Sequence, residues 1–206
     1  ELAVELEAAF LEVAQRTDIG CVLLHGAGGA FCSGIDLTAA AGPSGGPGDA
    51  WVAAHIARYR CGVPVVVAME RFAINAGAAL VLSAEVVVAG ESSFLQTSEI
   101  AMGIAAPMCQ AWLHLRHSVA VADRLLLLAD RVPAAELMRL GVATEVVADE
   151  SVLARATELA DRIAAHPPAG RAAVASVWKR LRGELADPAA WFRALGAPDP
   201  TGGSER

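Results

Sequence analysis

Apolar and polar positions along this 206-residue chain alternate between two periods. In ELAVELEAAFLEVAQR, Leu2, Leu6, Ala9, Phe10 and Val13 share one helical face, which predicts an amphipathic helix. GCVLLHG is a short continuous apolar run and predicts a buried strand. WVAAHIARYR reads as a helix, and VPVVVAM as a second buried strand opened by Pro64, where a missing N–H does least harm. NAGAALVLSAE predicts a helix with Asn75 as its N-cap. VVVAG is a third strand, and SSFLQTSEIAMGIAAP alternates short strand with loop. From about Val119 the pattern is helical, through VAVADRLLLLAD, PAAELMRLG, ESVLARATELADRIAAH and AGRAAVASVWKRLRG. Pro133 marks a helix start, Gly141 lies just past a helix end, and ATEVV is a short intervening strand. Strands alternating with helices define an α/β class. The continuous apolar strands imply a sheet covered on both faces. No internal repeat is visible in the sequence.

Composition narrows this picture. The chain is 55% hydrophobic with mean hydropathy +0.45, enough for one domain with a substantial core. No apolar run is long enough to span a bilayer, since even VPVVVAM stops at Glu70. Glu1, Glu5 and Glu7 stand where the basic region of a signal peptide would be, so the expectation is a soluble cytoplasmic protein with no membrane partner. The net charge of −7 argues against nucleic acid as the main partner. Cys21, Cys32, Cys61 and Cys109 show no C-x-x-C spacing, which predicts free thiols. His114 and His117 share helical spacing but lack a nearby third ligand, so no metal site is expected.

The stretch HGAGGAFCSGIDL, His25 to Leu37, concentrates glycine after the first strand. Two fingerprints fail there. Phe31 stands at the third position of G-x-G-x-x-G and at the first of G-x-S-x-G. A nucleophilic Cys32 would need a histidine and an acid that the sequence does not place beside it. What remains is backbone: glycine lets the chain approach a ligand closely. INAGAAL offers the same resource, a helix start with unpaired N–H groups at the positive end of its dipole. Two such donors can grip one carbonyl oxygen; the plainer reading is two ordinary strand-to-helix turns.

Three blocks carry a resemblance: GAGGAFCSGIDL; VPVVVAM with NAGAALVLSAEVVVAGESSFLQTSEIAMGI; and LLLLADRVPAAELMRLGVATEVVADESVLARATELADRIAAHPP. In their order and spacing they resemble the crotonase superfamily, the enoyl-CoA hydratase/isomerase family, from about Leu2 to Arg182. The resemblance implies a crotonase (ClpP-like) spiral of ββα units over residues 1–118. A helical oligomerisation region would follow over 119–206, in a homotrimer or hexamer. It implies an acyl-CoA thioester as substrate and partner, coenzyme A entering only as part of that substrate, and no metal or redox cofactor. Two backbone N–H groups would stabilise an enolate at the thioester oxygen. Carried over by motif, these fall on Ser33 and on Ala76, where the family usually has glycine. Each such donor is worth about 3–4 kcal/mol of transition-state stabilisation. Gly34, Ile35, Asp36 and Gly77 would contact substrate beside them, with helix capping the alternative for Asp36. Lys179, the chain's one lysine, would with Arg180 and Arg182 clamp the CoA phosphates or else form a solvated helix face.

Hydratases of the family use two glutamates. The first position here is Ala79 and the second Glu99. One shielded base is enough to move a double bond, so the expectation is enoyl-CoA isomerisation with Glu99 as base. Ile104, Ala105, Ala106 and Met108 would form the dry wall that raises its pKa. The alternatives are an enoyl-CoA hydratase or acyl-CoA hydrolase working with one glutamate, and a non-catalytic acyl-CoA-binding subunit. Glu70 and Arg71 replace the family's usual Asn-Gly, and Glu91 reads as an exposed turn acid. The loop Thr38 to Ala50 would shape the acyl pocket. The family normally opens with a strand pair; this sequence begins at the following helix and stops about one long helix short.

Overall fold

The computed structural model describes residues 1–34 and 47–181. Its centre is the run VVVAM, strand β2 (Val65–Met69), in which every residue is fully buried. Strand β1 (Val22–His25) pairs parallel to one side of it and β4 (Val86–Gly90) to the other, and β7 (Glu145–Val147) completes the sheet beyond β4. Side chains alternate across a strand, so one apolar run serves two cores. Val65, Val67 and Met69 face the main core. Val66 and Ala68, with Val88, face Val152, Ala156 and Ala160 of helix α7 (Val152–Ala164). Those three recur every four residues, the spacing of one helical stripe.

A second, smaller sheet holds β3 (Phe72–Ile74), β5 (Phe94–Gln96) and β6 (Val132–Pro133) in that order. Cys32 adds a single parallel bridge to Ala73 at its free edge. The chain therefore visits the two sheets in turn. β1 is followed by Cys32 and helix α2 (Pro47–Arg60); β2 by β3 and helix α3 (Ala76–Ser83); β4 by β5 and helix α4 (Pro107–Arg116). This is the spiral of ββα units that the family resemblance implies. The repeat is geometric and leaves no trace of sequence similarity between turns. β6 and β7, both beyond residue 118, complete the two sheets.

Several expectations need correction. Helix α1 (Leu2–Gln15) buries Phe10 and half-buries Leu6 and Val13, but Leu2 and Ala9 are exposed. α4 has no counterpart in the sequence reading. Met108, Cys109, Ala111, Trp112, Leu113 and Leu115 are all buried, so its apolar residues form a broad face, and Gln110 and His114 mark the exposed side. Of the expected loop Thr38 to Ala50, the last four residues already belong to α2, and the rest lie outside the described residues. Pro133 does precede a helix, α6 (Ala134–Arg139), and Gly141 follows it with φ of +75°. Among the described residues no helix is long and apolar enough to cross a membrane.

Charge ties the start of the strands together. Arg58 on α2 is 4% exposed and lies across Phe10 and Trp112, its guanidinium carbon 6.0 and 5.6 Å from the ring centres. Its Nη2 donates to the Ser83 carbonyl at 2.7 Å and to Glu85 Oε2 at 2.6 Å. The same oxygen accepts the Val65 N–H at 2.7 Å, and Oε1 accepts from Arg116 at 2.9 Å. Glu85 thus fixes α2, α4 and the first residue of β2 at once. Arg58 is buried but the Glu85 side chain is 38% exposed, so loss of the carboxylate leaves the Arg58 guanidinium with the Ser83 carbonyl and a solvent-screened deficit, not a fully stranded charge. Replacing Glu85 with alanine is expected to lower the unfolding free energy by about 1–2 kcal/mol, read as a lower urea midpoint with unchanged slope.

Candidate active site

The ladder of the second sheet brings three distant segments together. Cys32 pairs with Ala73, and Ala73 pairs with Leu95. The Cys32 N–H donates to Phe72 O at 3.2 Å, and its carbonyl accepts from Ile74 N–H at 3.0 Å. In a parallel pairing both main-chain groups of one residue face the same neighbour, and those of the next residue face away. The Ser33 N–H is therefore turned away from β3. Gly34 follows with φ of +104°; a side chain there would meet Ile74 O at 3.2 Å and Ala76 N at 3.9 Å. The Ser33–Gly34 turn consequently lies against the start of α3.

α3 opens at Ala76, so its first N–H groups have no intrahelical carbonyl to bond. The first intrahelical bond recorded at this end runs from Ala79 N–H to Asn75 O, at 3.1 Å. The dipole adds partial positive charge at the same point. Gly77 is required here: a Cβ would meet Cys32 O at 2.5 Å. Ala79, where a second carboxylate would stand in the family's hydratases, is 1% exposed and belongs to the main core.

Glu99 enters from the third segment. It opens a 3-10 turn, Glu99–Met102, three residues past β5, and Gly103 ends the turn with φ of +74°. The residue before it is held to the residue before Ala76. Ser98 N–H donates to Asn75 Oδ1 at 2.8 Å, and Ser98 Oγ–H donates to the same oxygen at 3.0 Å. Glu99 is half-buried, and its Oε2 is buried with no hydrogen-bond partner among the described residues. That burial raises its carboxyl above the ordinary value of 4.5. The dry wall is only partly the expected one. Ala106 and Met108 are buried, but Ile104 is 55% exposed and Ala105 is exposed.

Two features were missed in the sequence. Cys109 on α4 is buried, its thiol contacts the Asn75 carbonyl at 3.6 Å, and its pKa is pushed well up by burial and then by the Glu99 charge. Asn75 does occupy the N-cap position of α3, but its side chain makes no capping bond and reaches to Ser98 instead. No local signal marks either feature, because both contacts join residues more than twenty positions apart.

The structure thus brings together Ser33, Gly34, Ala76, Gly77 and Glu99. Ile35 and Asp36 lie outside the described residues. Lys179 lies on helix α8 (Pro168–Leu181), and its side chain is outside the described ones. α8 lines a cavity of about 810 Å³ with Arg58, Pro64, Glu85 and Arg116. Pro64 and Glu85 precede β2 and β4, so that cavity sits at the N-terminal ends of the parallel strands. The Ser33–Ala76–Glu99 cluster follows their C-terminal ends. Glu91 is exposed, as expected of a turn acid. Arg71 takes φ of +53° where the family has glycine.

The chain has counterparts among known proteins. The Enoyl-CoA hydratase/isomerase family profile matches residues 1–190. Enoyl-CoA hydratase EchA19 of Mycobacterium tuberculosis is 35% identical over 162 residues, which are 73% of this chain and 60% of that protein. The 1,2-epoxyphenylacetyl-CoA isomerase of Escherichia coli is 29% identical over 181 residues, 82% of this chain and 68% of that protein. The chain thus spans about 60 to 70% of the length of these curated relatives. In fold, it superposes on an enoyl-CoA hydratase/isomerase from Pseudoalteromonas atlantica with a TM-score of 0.82 at 24% identity, over 95% of this chain and 77% of the other. With the family profile covering residues 1–190, most of its length, the chain belongs to the enoyl-CoA hydratase/isomerase family.

Proposed function

We propose that this protein acts on an acyl-CoA thioester through an enolate, and that its reaction is the isomerisation of a 3-enoyl-CoA to the conjugated 2-enoyl-CoA. The observation that carries this reading is the environment of Glu99: a half-buried carboxylate with one unbonded oxygen, beside the start of α3, while Ala79 is a core residue. Hydration calls for a water held between two carboxylates. Isomerisation calls for one base that keeps its proton out of bulk water. In this mechanism ionised Glu99 removes a proton from C2 of the 3-enoyl thioester. The C–H electrons form the second bond between C1 and C2 of a dienolate, and the carbonyl π pair moves onto the thioester oxygen, which carries the negative charge until protonation at C4 restores the carbonyl. The N–H groups of Ser33 and Ala76 donate to that oxygen. Protonated Glu99 then delivers the same proton to C4, the double bond settles between C2 and C3, and the carboxylate is regenerated. A raised carboxyl pKa makes the base stronger, which suits proton abstraction near neutral pH.

Gly34, Ile35, Asp36 and Gly77 would line the substrate beside the donors, and Lys179 would meet the CoA phosphates. The helical region 119–206, in which Val119, Leu127, Leu128 and Met138 are more than half exposed, is the surface we assign to contact between copies in a homotrimer or hexamer. The second reading is hydration by Glu99 alone, favoured by the name that EchA19 carries.

Two measurements test the proposal. The first follows the ultraviolet band of the conjugated thioester with 3-enoyl-CoA and 2-enoyl-CoA substrates. A rising band with the first and little loss with the second is expected; rapid loss with the second would establish hydration instead. Glu99→Gln is expected to lower turnover by about 10²–10⁴-fold, with acyl-CoA affinity by calorimetry held within a few-fold. A variant that binds and turns over like the parent would leave a binding subunit as the better description. The second measurement is stability against pH. Because the native carboxyl binds its proton more tightly than the unfolded one, the native state is favoured below about pH 4.5 and loses that advantage as pH rises through the raised native pKa. Glu99→Gln removes this penalty. Its melting temperature should exceed the parent's at pH 7.5, and the gap should close near pH 4.

A further inference from the structure

We propose that Asn75 is a positioning residue that sets the distance between the Glu99 carboxylate and the oxygen site at the start of α3; this rests on the reading of Glu99 as base. Three observations carry it. Asn75 has φ of +51° and ψ of −111°. That is the region of the first central residue of a type II′ turn, where glycine is the usual occupant, so an asparagine is held there at a cost. An N-cap asparagine ordinarily accepts an N–H from its own helix. This one makes no such bond and spends Oδ1 on both donors of Ser98. Last, the buried Oε2 of Glu99 has no hydrogen-bond partner among the described residues, so nothing at that oxygen aims the carboxylate. Its place follows from the main chain at Ser98 and Glu99.

The consequence is geometric. Asn75 is covalently joined to Ala76, whose N–H is a proposed oxyanion donor, and Ser98 is covalently joined to Glu99. One side chain bridges the two. Its main chain is fixed as well. The Asn75 N–H donates to Gln96 O at 2.8 Å, and its carbonyl accepts the Ala79 N–H and contacts the Cys109 thiol. Without the side chain the β5 pairing remains, but the loop leading to Glu99 loses its two bonds to the start of α3. Glycine would satisfy the backbone and lose the bridge. Aspartate would keep an oxygen for both Ser98 donors and add a charge.

The test compares Asn75→Gly and Asn75→Asp with the parent protein. It reads kcat and KM on a 3-enoyl-CoA and the pH–rate profile. It also reads the Glu99 carboxyl band by infrared difference against Glu99→Gln. Asn75→Gly should fold, because glycine takes the positive φ freely. Its kcat should fall by up to about 10²-fold with KM changed much less, since small misplacements of a catalytic group cost that much. Its Glu99 carboxyl should titrate at a different pH. Asn75→Asp should recover most of kcat at alkaline pH, while its acidic limb moves to higher pH because the new charge opposes ionisation of Glu99. The Cys109 thiol, the titratable group of α4 coupled to Glu99, stays protonated across this range. A parent-like kcat and an unshifted Glu99 titration in Asn75→Gly would overturn the proposal. If the parent turns over no enoyl-CoA, the isomerase reading falls. The infrared titration then decides on its own: a shift in Asn75→Gly keeps the bridge, and no shift removes it.

Discussion

Cys32 pairs with Ala73 and Ala73 with Leu95, so three turns of the chain leave the second sheet in step. Each segment ends within a few residues of that row: Ser33 immediately, Ala76 after three positions, Glu99 after four. Register across the row is therefore what turns three separate motifs into one site. A slip of one residue would exchange the faces of the short strands and turn the Ser33 N–H back toward β3. The row is short, and close packing reinforces it. Gly77 lets α3 approach the Cys32 carbonyl to a distance that any side chain would prevent, which keeps the first segment and the helix start at one separation.

The strands of the first sheet and most helices were legible because burial and local pattern agree; β3 and β6, three and two residues long, were not, being too short to show a period. A fully buried strand such as VVVAM is a continuous apolar run, and a half-buried helix such as α7 carries an apolar stripe. α4 shows how that agreement fails. Its buried face is broad, and only Gln110 and His114 mark the exposed side, too few positions to show the helical period. Of the candidate site, the glycine-rich strand ends were legible, because glycine and small residues there are a local signal; the choice of Ser33 and Ala76 as donors came from the family resemblance. Asn75 was legible as a helix start but not in what its side chain does. A bond to Ser98, 23 positions away, exists only once β3 and β5 have paired. The exposure of Ile104 and Ala105 was equally hidden, since whether a run such as GIAAP is covered depends on what packs over it.

Charges at the two ends of the parallel sheet follow opposite rules. At the N-terminal ends, Glu85 pairs with Arg58 and Arg116 and accepts the Val65 N–H, so opposite charges meet even though Arg58 Nε itself has no hydrogen-bond partner among the described residues, and the result is structural. At the C-terminal ends, Glu99 keeps a buried oxygen without a partner. An unpaired buried carboxylate weakens the fold when ionised, and a sequence selected for stability alone would pair it or replace it. Local violations of this kind concentrate where chemistry needs them. The strained φ of Asn75 belongs to the same end of the molecule.

Ala79 completes this logic. On α3 it is buried in the main core, so a glutamate at that position would add a second carboxyl to an apolar setting. Two such groups near one another raise each other's pKa and tend to share a proton. With alanine in place α3 brings no carboxyl at this position, and burial is the first cause of the raised Glu99 pKa. A carboxyl whose pKa is raised by burial loses that shift when water reaches it. The half-exposed Ile100, Met102 and Ile104 are therefore as much a part of the argument as Glu99: whatever covers them, substrate or a second copy of the chain, governs how dry the carboxylate becomes.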